Sequence, residues 1–199
     1  MCIRDRKLHQ ILFKSFNCKD YYKVENLFKF LLAEKNSFFF ESVEKGVIRG
    51  RYTIIGLNPD KLWDINNNTI TIETNKKKVK IKTNPLKYLN KLIKDFKIKI
   101  PSQLPSMASM LVGYFSYDII RYIEKIPNKC KDDLKIPDVR LCRPRNLVIY
   151  DTLKKKIHYI ENVYADTKIK NYRETYEAIV KNFELFKNFE NIRLPEQFT

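Results

Sequence analysis

The sequence predicts an α+β fold, with mostly antiparallel β-sheet layers flanked by helices. Three observations lead there. Residues 69–74 and 78–82 alternate apolar and polar side chains with period two, as half-solvated strands do. Residues 24–34 (VENLFKFLLAE) and 86–96 (LKYLNKLIKDF) instead carry an apolar stripe at helical spacing. Residues 147–151 (LVIYD) and 156–164 (KIHYIENVY) flank a short turn at 153–155, the pattern of a hairpin.

The elements follow in order. The hexapeptide MCIRDR at 1–6 resembles translated sequencing-adapter sequence and is set aside; the domain is placed over 7–190. After the helix at 24–34, residues 37–43 (SFFFESV) read as a buried strand and Lys45-Gly46 as a turn. Residues 51–57 (RYTIIGL) form a second strand, closed by the turn signal Asn58-Pro59-Asp60 and paired antiparallel with the first. A short strand at 61–65 precedes a turn at Asn66-Asn67-Asn68, and the meander of 69–74 and 78–82 follows, its lysines solvating the outer face and guarding an edge. Pro85 opens the next helix, where its missing N–H costs nothing. Pro101 and Pro105 frame a linker, 108–116 (ASMLVGYFS) is expected as a central strand, and 117–125 as a helix ended by Ile126-Pro127-Asn128. Pro137-Asp138 opens the strand region that leads into the hairpin. A long helix is expected at 167–189, and 191–199 reads as the start of a linker.

The composition excludes several classes. With 44% apolar and 31% charged residues among 199, and only 4 Gly and 8 Pro, the chain is neither disordered nor low-complexity. No apolar run reaches the roughly 18–20 residues that span a bilayer. The first apolar residues, Ile11-Leu12-Phe13, are cut off by Lys14, so no signal peptide is read and a cytoplasmic location is expected. Cys2, Cys18, Cys130 and Cys142 are widely spaced, and His9 and His158 have no neighbouring ligand set; unpaired thiols and no metal site are expected.

The net charge is +16, and the basic excess is densest over 74–99. Such a patch attracts phosphate, and a basic RNA-binding module is one rival reading. Composition accounts for it more simply. The chain has 29 Lys, 23 Ile and 17 Asn, all residues with A/T-rich codons, and its basic residues are mostly lysine where base readout leans on arginine. A nucleic-acid partner is therefore not favoured.

Glycine-rich nucleotide cradles, P-loops, H-E-x-x-H and G-x-S-x-G are all missing, so no catalytic residue is assigned. Two segments are dense in polar groups. Glu41, Ser42 and Arg51 come to one end if their strands pair: a carboxylate with a hydroxyl can hold an ammonium, and a guanidinium can hold a carboxylate. The plainer reading is a structural Glu41–Arg51 pair across a hairpin. In the second segment, 113–121, Asp118 can cap a helix and pair with Arg121 one turn on.

Both segments resemble anthranilate synthase component I. Residues 40–46 (FESVEKG) and 49–60 (RGRYTIIGLNPD) are similar to its L-L-E-S-V-E-x-G and G-R-Y-S-x-I-G-x-x-P signatures, and 112–127 (VGYFSYDIIRYIEKIP) to its V-G-Y-x-x-Y-D-x-V-R-x-x-E-x-L-P block. Pro137-Asp138, Arg143-Pro144 and Tyr150-Asp151 continue in order. One departure is Met107-Ala108-Ser109-Met110, where the family has Phe-x-Gly-Gly. The resemblance implies the amino-terminal, feedback-sensing part of a lyase that makes anthranilate from chorismate for tryptophan synthesis. By it, Glu41 and Ser42 hold the ammonium of tryptophan, and Arg51 and Tyr52, on the adjoining strand of that pocket, are tryptophan-binding residues too. It also implies Mg²⁺ and the catalytic residues in a carboxy-terminal half absent here, so that this piece alone is inactive, and a glutamine amidotransferase subunit as partner. Aminodeoxychorismate synthase component I, of folate synthesis, is the alternative within the same fold.

Overall fold

The computed structural model describes residues 9–32, 36–41, 50–75, 77–96, 98–127 and 131–166. Over them the protein is a mostly antiparallel sheet with few helices. The strands are β1 (Gln10–Asn17), β2 (Phe38–Phe40), β3 (Tyr52–Asn66), β4 (Thr69–Thr74), β5 (Lys78–Lys82), β6 (Val112–Phe115), β7 (Val139–Asp151) and β8 (Lys156–Val163). The helices are α1 (Tyr21–Leu32) and α2 (Pro85–Asp95). The strand order is β1-β8-β7-β3-β4-β5, with β2 on β3 and β6 on β7. The Lys45-Gly46 turn, the 167–189 helix and the segments 1–6 and 191–199 lie outside the described residues.

Several expectations are corrected. Asn58-Pro59-Asp60 is not a turn: β3 runs through it as one strand of 15 residues, so no separate strand exists at 61–65. Asn58 takes a positive φ of 50°, which asparagine tolerates, and its amide donates to Asn146 Oδ1 at 3.2 Å. Turn chemistry here falls inside a strand rather than ending it. Likewise β7 runs 13 residues through Pro144 and absorbs the region from Val139 to Asp151 into one strand. The central strand expected at 108–116 is a 3₁₀ turn at Ser106–Ala108 followed by the short β6, which pairs with β7. The helix expected at 117–125 is a 3₁₀ turn, Tyr117–Tyr122. β1 had no counterpart in the sequence reading; it pairs with β8 over its whole length, Gln10 opposite Val163 through Asn17 opposite Lys156.

The residues form two compact units, divided at Pro59/Asp60 in β3 and at Pro144/Arg145 in β7. The first comprises Met1–Pro59, Ile98–Ser109 and Arg145–Thr199. Its core is the inner face of α1 (Val24, Leu27, Phe28, Leu31) against Ile55, Leu57, Val148, Tyr150, Ile157 and Tyr159. The apolar positions of α1 recur every three to four residues, so one face is buried whole, worth about 2 kcal/mol per large side chain. β2 is held on β3 in the register Phe38–Gly56, Phe39–Ile55, Phe40–Ile54. The Phe38 ring occupies the space a Cβ at position 56 would need, so the close approach requires glycine.

The second unit comprises Asp60–Lys97 and Met110–Pro144. Trp63, Ile65, Ile70, Leu89, Val139 and Leu141 form its core. α2 starts as its sequence dictates: Asn84 accepts from Lys87 N at 3.0 Å, and Pro85 is the first helical residue.

Candidate functional site

Glu41 follows directly on β2, and continuing the register one step sets it opposite Thr53 on β3. It is solvent-exposed. Its carboxylate Oε1 accepts a hydrogen bond from the Tyr21 hydroxyl, which reaches across from the first turn of α1. The Thr53 side chain, itself buried, hydrogen bonds the same phenol. Burial first, then the hydrogen bond and charge of Glu41, push the Tyr21 phenol up to about 12. The phenol is therefore a permanent donor at neutral pH, and it fixes the carboxylate. The Tyr21 ring is tilted against Tyr150, centroids 5.8 Å apart. Ser42 lies outside the described residues.

Arg51 pairs elsewhere than the sequence allowed for. Its Nε and Nη2 donate to Asp151 Oδ1 and Oδ2 at 3.0 and 2.6 Å. Its carbonyl accepts from Thr152 N at 2.9 Å and from Thr152 Oγ1 at 2.8 Å. The Asp151 Oδ1 also accepts from the backbone N–H of Leu153 and Lys154, both at 3.0 Å. Burial pushes the Asp151 carboxyl up, but the Arg51 hydrogen bonds, the two backbone donors and the Arg51 charge outweigh it and hold the group below its ordinary value. This arrangement clamps the start of β3 to the β7–β8 turn. The Glu41–Arg51 hairpin pair is replaced by Tyr21–Glu41 and Arg51–Asp151. Tyr52 lies under the Arg51 guanidinium, 4.9 Å from ring centroid to Cζ.

The polar residues of 113–127 have structural work. Gly113 sits against the Arg140 backbone, where no Cβ fits. Asp118 pairs with Arg121 at 2.7 Å, as its spacing predicted, but Asp118 does not cap: the cap position is Ser116. Arg121 Nη1 also donates to the carbonyls of Ile126 and Pro127 at 3.1 and 3.2 Å. Tyr122 donates to Asp138 Oδ2, and burial followed by that carboxylate raises its pKa. The block thus pins its own excursion between β6 and β7.

Sequence reasoning missed the polar pairs between strands. Arg143 and Asp60 form a two-bond pair at 2.8 and 2.6 Å. Arg145 and Asn146 both donate to Glu161, at 2.8 and 3.3 Å. Ser15 Oγ lies 2.7 Å from His158 Nδ1; burial lowers the His158 pKa, leaving a neutral ring. The only available signal was the high density of charged residues in long apolar strands. Cys142 is a free thiol that burial pushes up to about 11, so it is protonated and unreactive at neutral pH. Among the described residues no group of three or more His, Cys, Asp or Glu is placed to hold a metal ion, and no helix is long and apolar enough to cross a membrane.

Residues 35–196 match the model of the chorismate binding enzyme family. The chain is 31% identical over 149 residues to anthranilate synthase component 1 of Cereibacter sphaeroides, covering 72% of this chain and 30% of that protein. It is 35% identical over 145 residues to the Acetivibrio thermocellus protein of the same name, covering 72% and 29%. Against the chloroplastic anthranilate synthase alpha subunit 1 of Oryza sativa subsp. japonica it is 31% identical over 174 residues, covering 81% and 30%. The crystal structure of anthranilate synthase component I from Streptococcus pneumoniae matches with a TM-score of 0.56 at 23% identity, covering 81% of this chain and 33% of that one, a likeness of fold. The chain spans about 30% of the length of the relatives it matches.

Proposed function

The chain belongs to the family of chorismate binding enzymes, and from that premise we propose that it is the amino-terminal, tryptophan-sensing part of an anthranilate synthase component I. The whole enzyme would convert chorismate, with ammonia released from glutamine by an amidotransferase subunit, to anthranilate and pyruvate. The observation that carries the reading is the ordered similarity, at 31–35% identity, to relatives named for that activity. The α+β layering and the division into 1–6, 7–190 and 191–199 belong to the same proposal.

The site geometry supports a role in holding an ammonium. Glu41 is an exposed carboxylate oriented by Tyr21. A charge-assisted hydrogen bond from the amino group of tryptophan would engage that carboxylate, together with Ser42. Arg51 and Tyr52 contribute as the fixed start of the adjoining strand. With its Nε and Nη2 on Asp151, Arg51 serves to hold β3 in place. Since the described residues offer no metal-binding group, no step through Mg²⁺ is assigned to them. Turnover of chorismate is assigned to a further part of the enzyme.

Titration calorimetry of the 199-residue chain with L-tryptophan tests the sensing role. Saturable heat that Glu41→Gln abolishes supports it; no heat, or heat unchanged in Glu41→Gln, refutes it. An assay for anthranilate with chorismate, ammonia and Mg²⁺ tests the remainder. No product is expected, and measurable turnover by this chain overturns the assignment of the chemistry to another part.

A further inference from the structure

Strand β5 and helix α2 enclose an open cleft of about 450 Å³. Ile81, Tyr88 and Leu92 form its apolar wall, and Thr83, Lys87, Lys91 and Asp95 its polar one. Such a lining, with a few polar groups on an apolar bed, is typical of sites for small organic ligands.

The polar groups are left open. Lys87 and Lys91 are one turn apart on the same face of α2, where like charges repel. Neither forms an ion pair among the described residues. Lys91 precedes Asp95 by four positions, the weaker orientation for a helical pair, and the two stay apart. Across the neighbouring strands the contrast is plain: Lys78 and Glu73 pair at 3.0 Å. The first turn of α2 holds no acidic residue to offset the positive end of the helix, and Lys87 adds to it. Tyr88 is fixed by the Trp63 indole N–H, which donates to its phenol oxygen at 3.1 Å. Its own O–H meets no acceptor among the described residues. Burial raises its pKa, so that O–H persists as a donor.

We propose that this cleft binds a small organic monoacid, with the carboxylate held by Lys87, Lys91 and the Thr83 hydroxyl and an apolar body against Ile81, Tyr88 and Leu92. Asp95 closes the far end to a second acidic group. The inference is independent of the Glu41 site.

The test is titration of the full chain at physiological salt, followed by amide chemical shifts, with sodium benzoate, sodium acetate and inorganic phosphate as probes. Benzoate should saturate, with shifts centred on α2 and β5. Acetate, lacking the body, and phosphate, lacking apolar surface, should bind at least about tenfold more weakly. The exposed double substitution Lys87→Gln/Lys91→Gln should weaken benzoate at least about tenfold, with its melting temperature within a few degrees of the parent. Lys94→Gln, outside the cleft, should leave benzoate binding unchanged. Asp95→Asn should admit terephthalate, a diacid with its second carboxylate at the opposite end of the ring, which the parent rejects. Absence of saturable benzoate binding, unchanged binding in the double variant, or equal binding of all three anions that salt removes would overturn the proposal; the last is mere attraction to a cationic surface.

Discussion

The two units solve opposite problems. The first buries polar groups: Thr53, Ser109, Asn146, Asp151, His158, Glu161 and Asn162 are all buried there, while among the described residues of the second Arg143 is buried. Among the described residues the second exposes apolar ones, including Phe115, Tyr117, Ile123 and Leu134, whereas those of the first include Phe40 and Leu153. Their stabilities therefore depend on different terms. The first needs its hydrogen bonds satisfied, since an orphaned buried group costs about 1–3 kcal/mol. Among the described residues, the second holds the core around Trp63, Ile65 and Ile70 and the ion pair of Arg143 with Asp60.

The sharpest way to break this contrast is that pair. Arg143 and Asp60 have side chains only 6% and 10% exposed. Arg143→Ala removes the hydrogen bonds at 2.8 and 2.6 Å from the largely buried Asp60 carboxylate and should cost about 3 kcal/mol in urea unfolding. A loss under 1 kcal/mol would mean the second unit does not depend on it.

The next largest effect belongs to the first unit. Asp151→Asn weakens the acceptor for Arg51, Leu153 and Lys154 and should cost about 2 kcal/mol at neutral pH. The sign with pH follows from the lowered pKa of Asp151. Its contribution is whole above the unfolded value, about 3.9, and is lost as pH falls through the lower folded value. Denaturation midpoints measured against pH should show that acid limb in the parent and a flatter one in the variant.

These pairs mark where the sequence stopped being informative. Period-two alternation revealed β4 and β5, and Asn84-Pro85 revealed the start of α2, because each signal lies within a few residues. β1 escaped because apolar and polar residues share both its faces, so alternation is lost (QILFKSFN). Asn58-Pro59 misled because a positive φ and a missing N–H can be accommodated within a strand as well as in a turn. At the candidate site Glu41 and Arg51 stood out locally, but their partners did not. Tyr21 lies 20 residues before Glu41, and Asp151 lies 100 residues after Arg51. Only the folded sheet brings them together.

Smaller effects sharpen the comparison further. Tyr21→Phe removes the donor to Glu41 but keeps the ring against Tyr150, and should cost only about 0.5 kcal/mol, since Glu41 faces water. In the parent, the raised Tyr21 pKa means that its contribution is whole below about pH 10 and lost as pH rises through about 12. Phenolate absorbance against pH should show that late step, and Glu41→Gln should move it earlier. At the bottom of the scale, Lys78→Ala breaks a pair exposed on both sides, 57% and 49%, and should change stability by less than about 0.5 kcal/mol.

One hydrogen atom decides where Glu41 stands. At position 56 the chain leaves a vacancy the width of a methyl group, and an aromatic ring fills it. Any larger residue would evict that ring, lift the three-residue strand that carries it, and displace the carboxylate three positions further on. On the proposed reading, Gly56→Ala should weaken the heat of tryptophan binding, although the substitution touches no ligand and removes no charge.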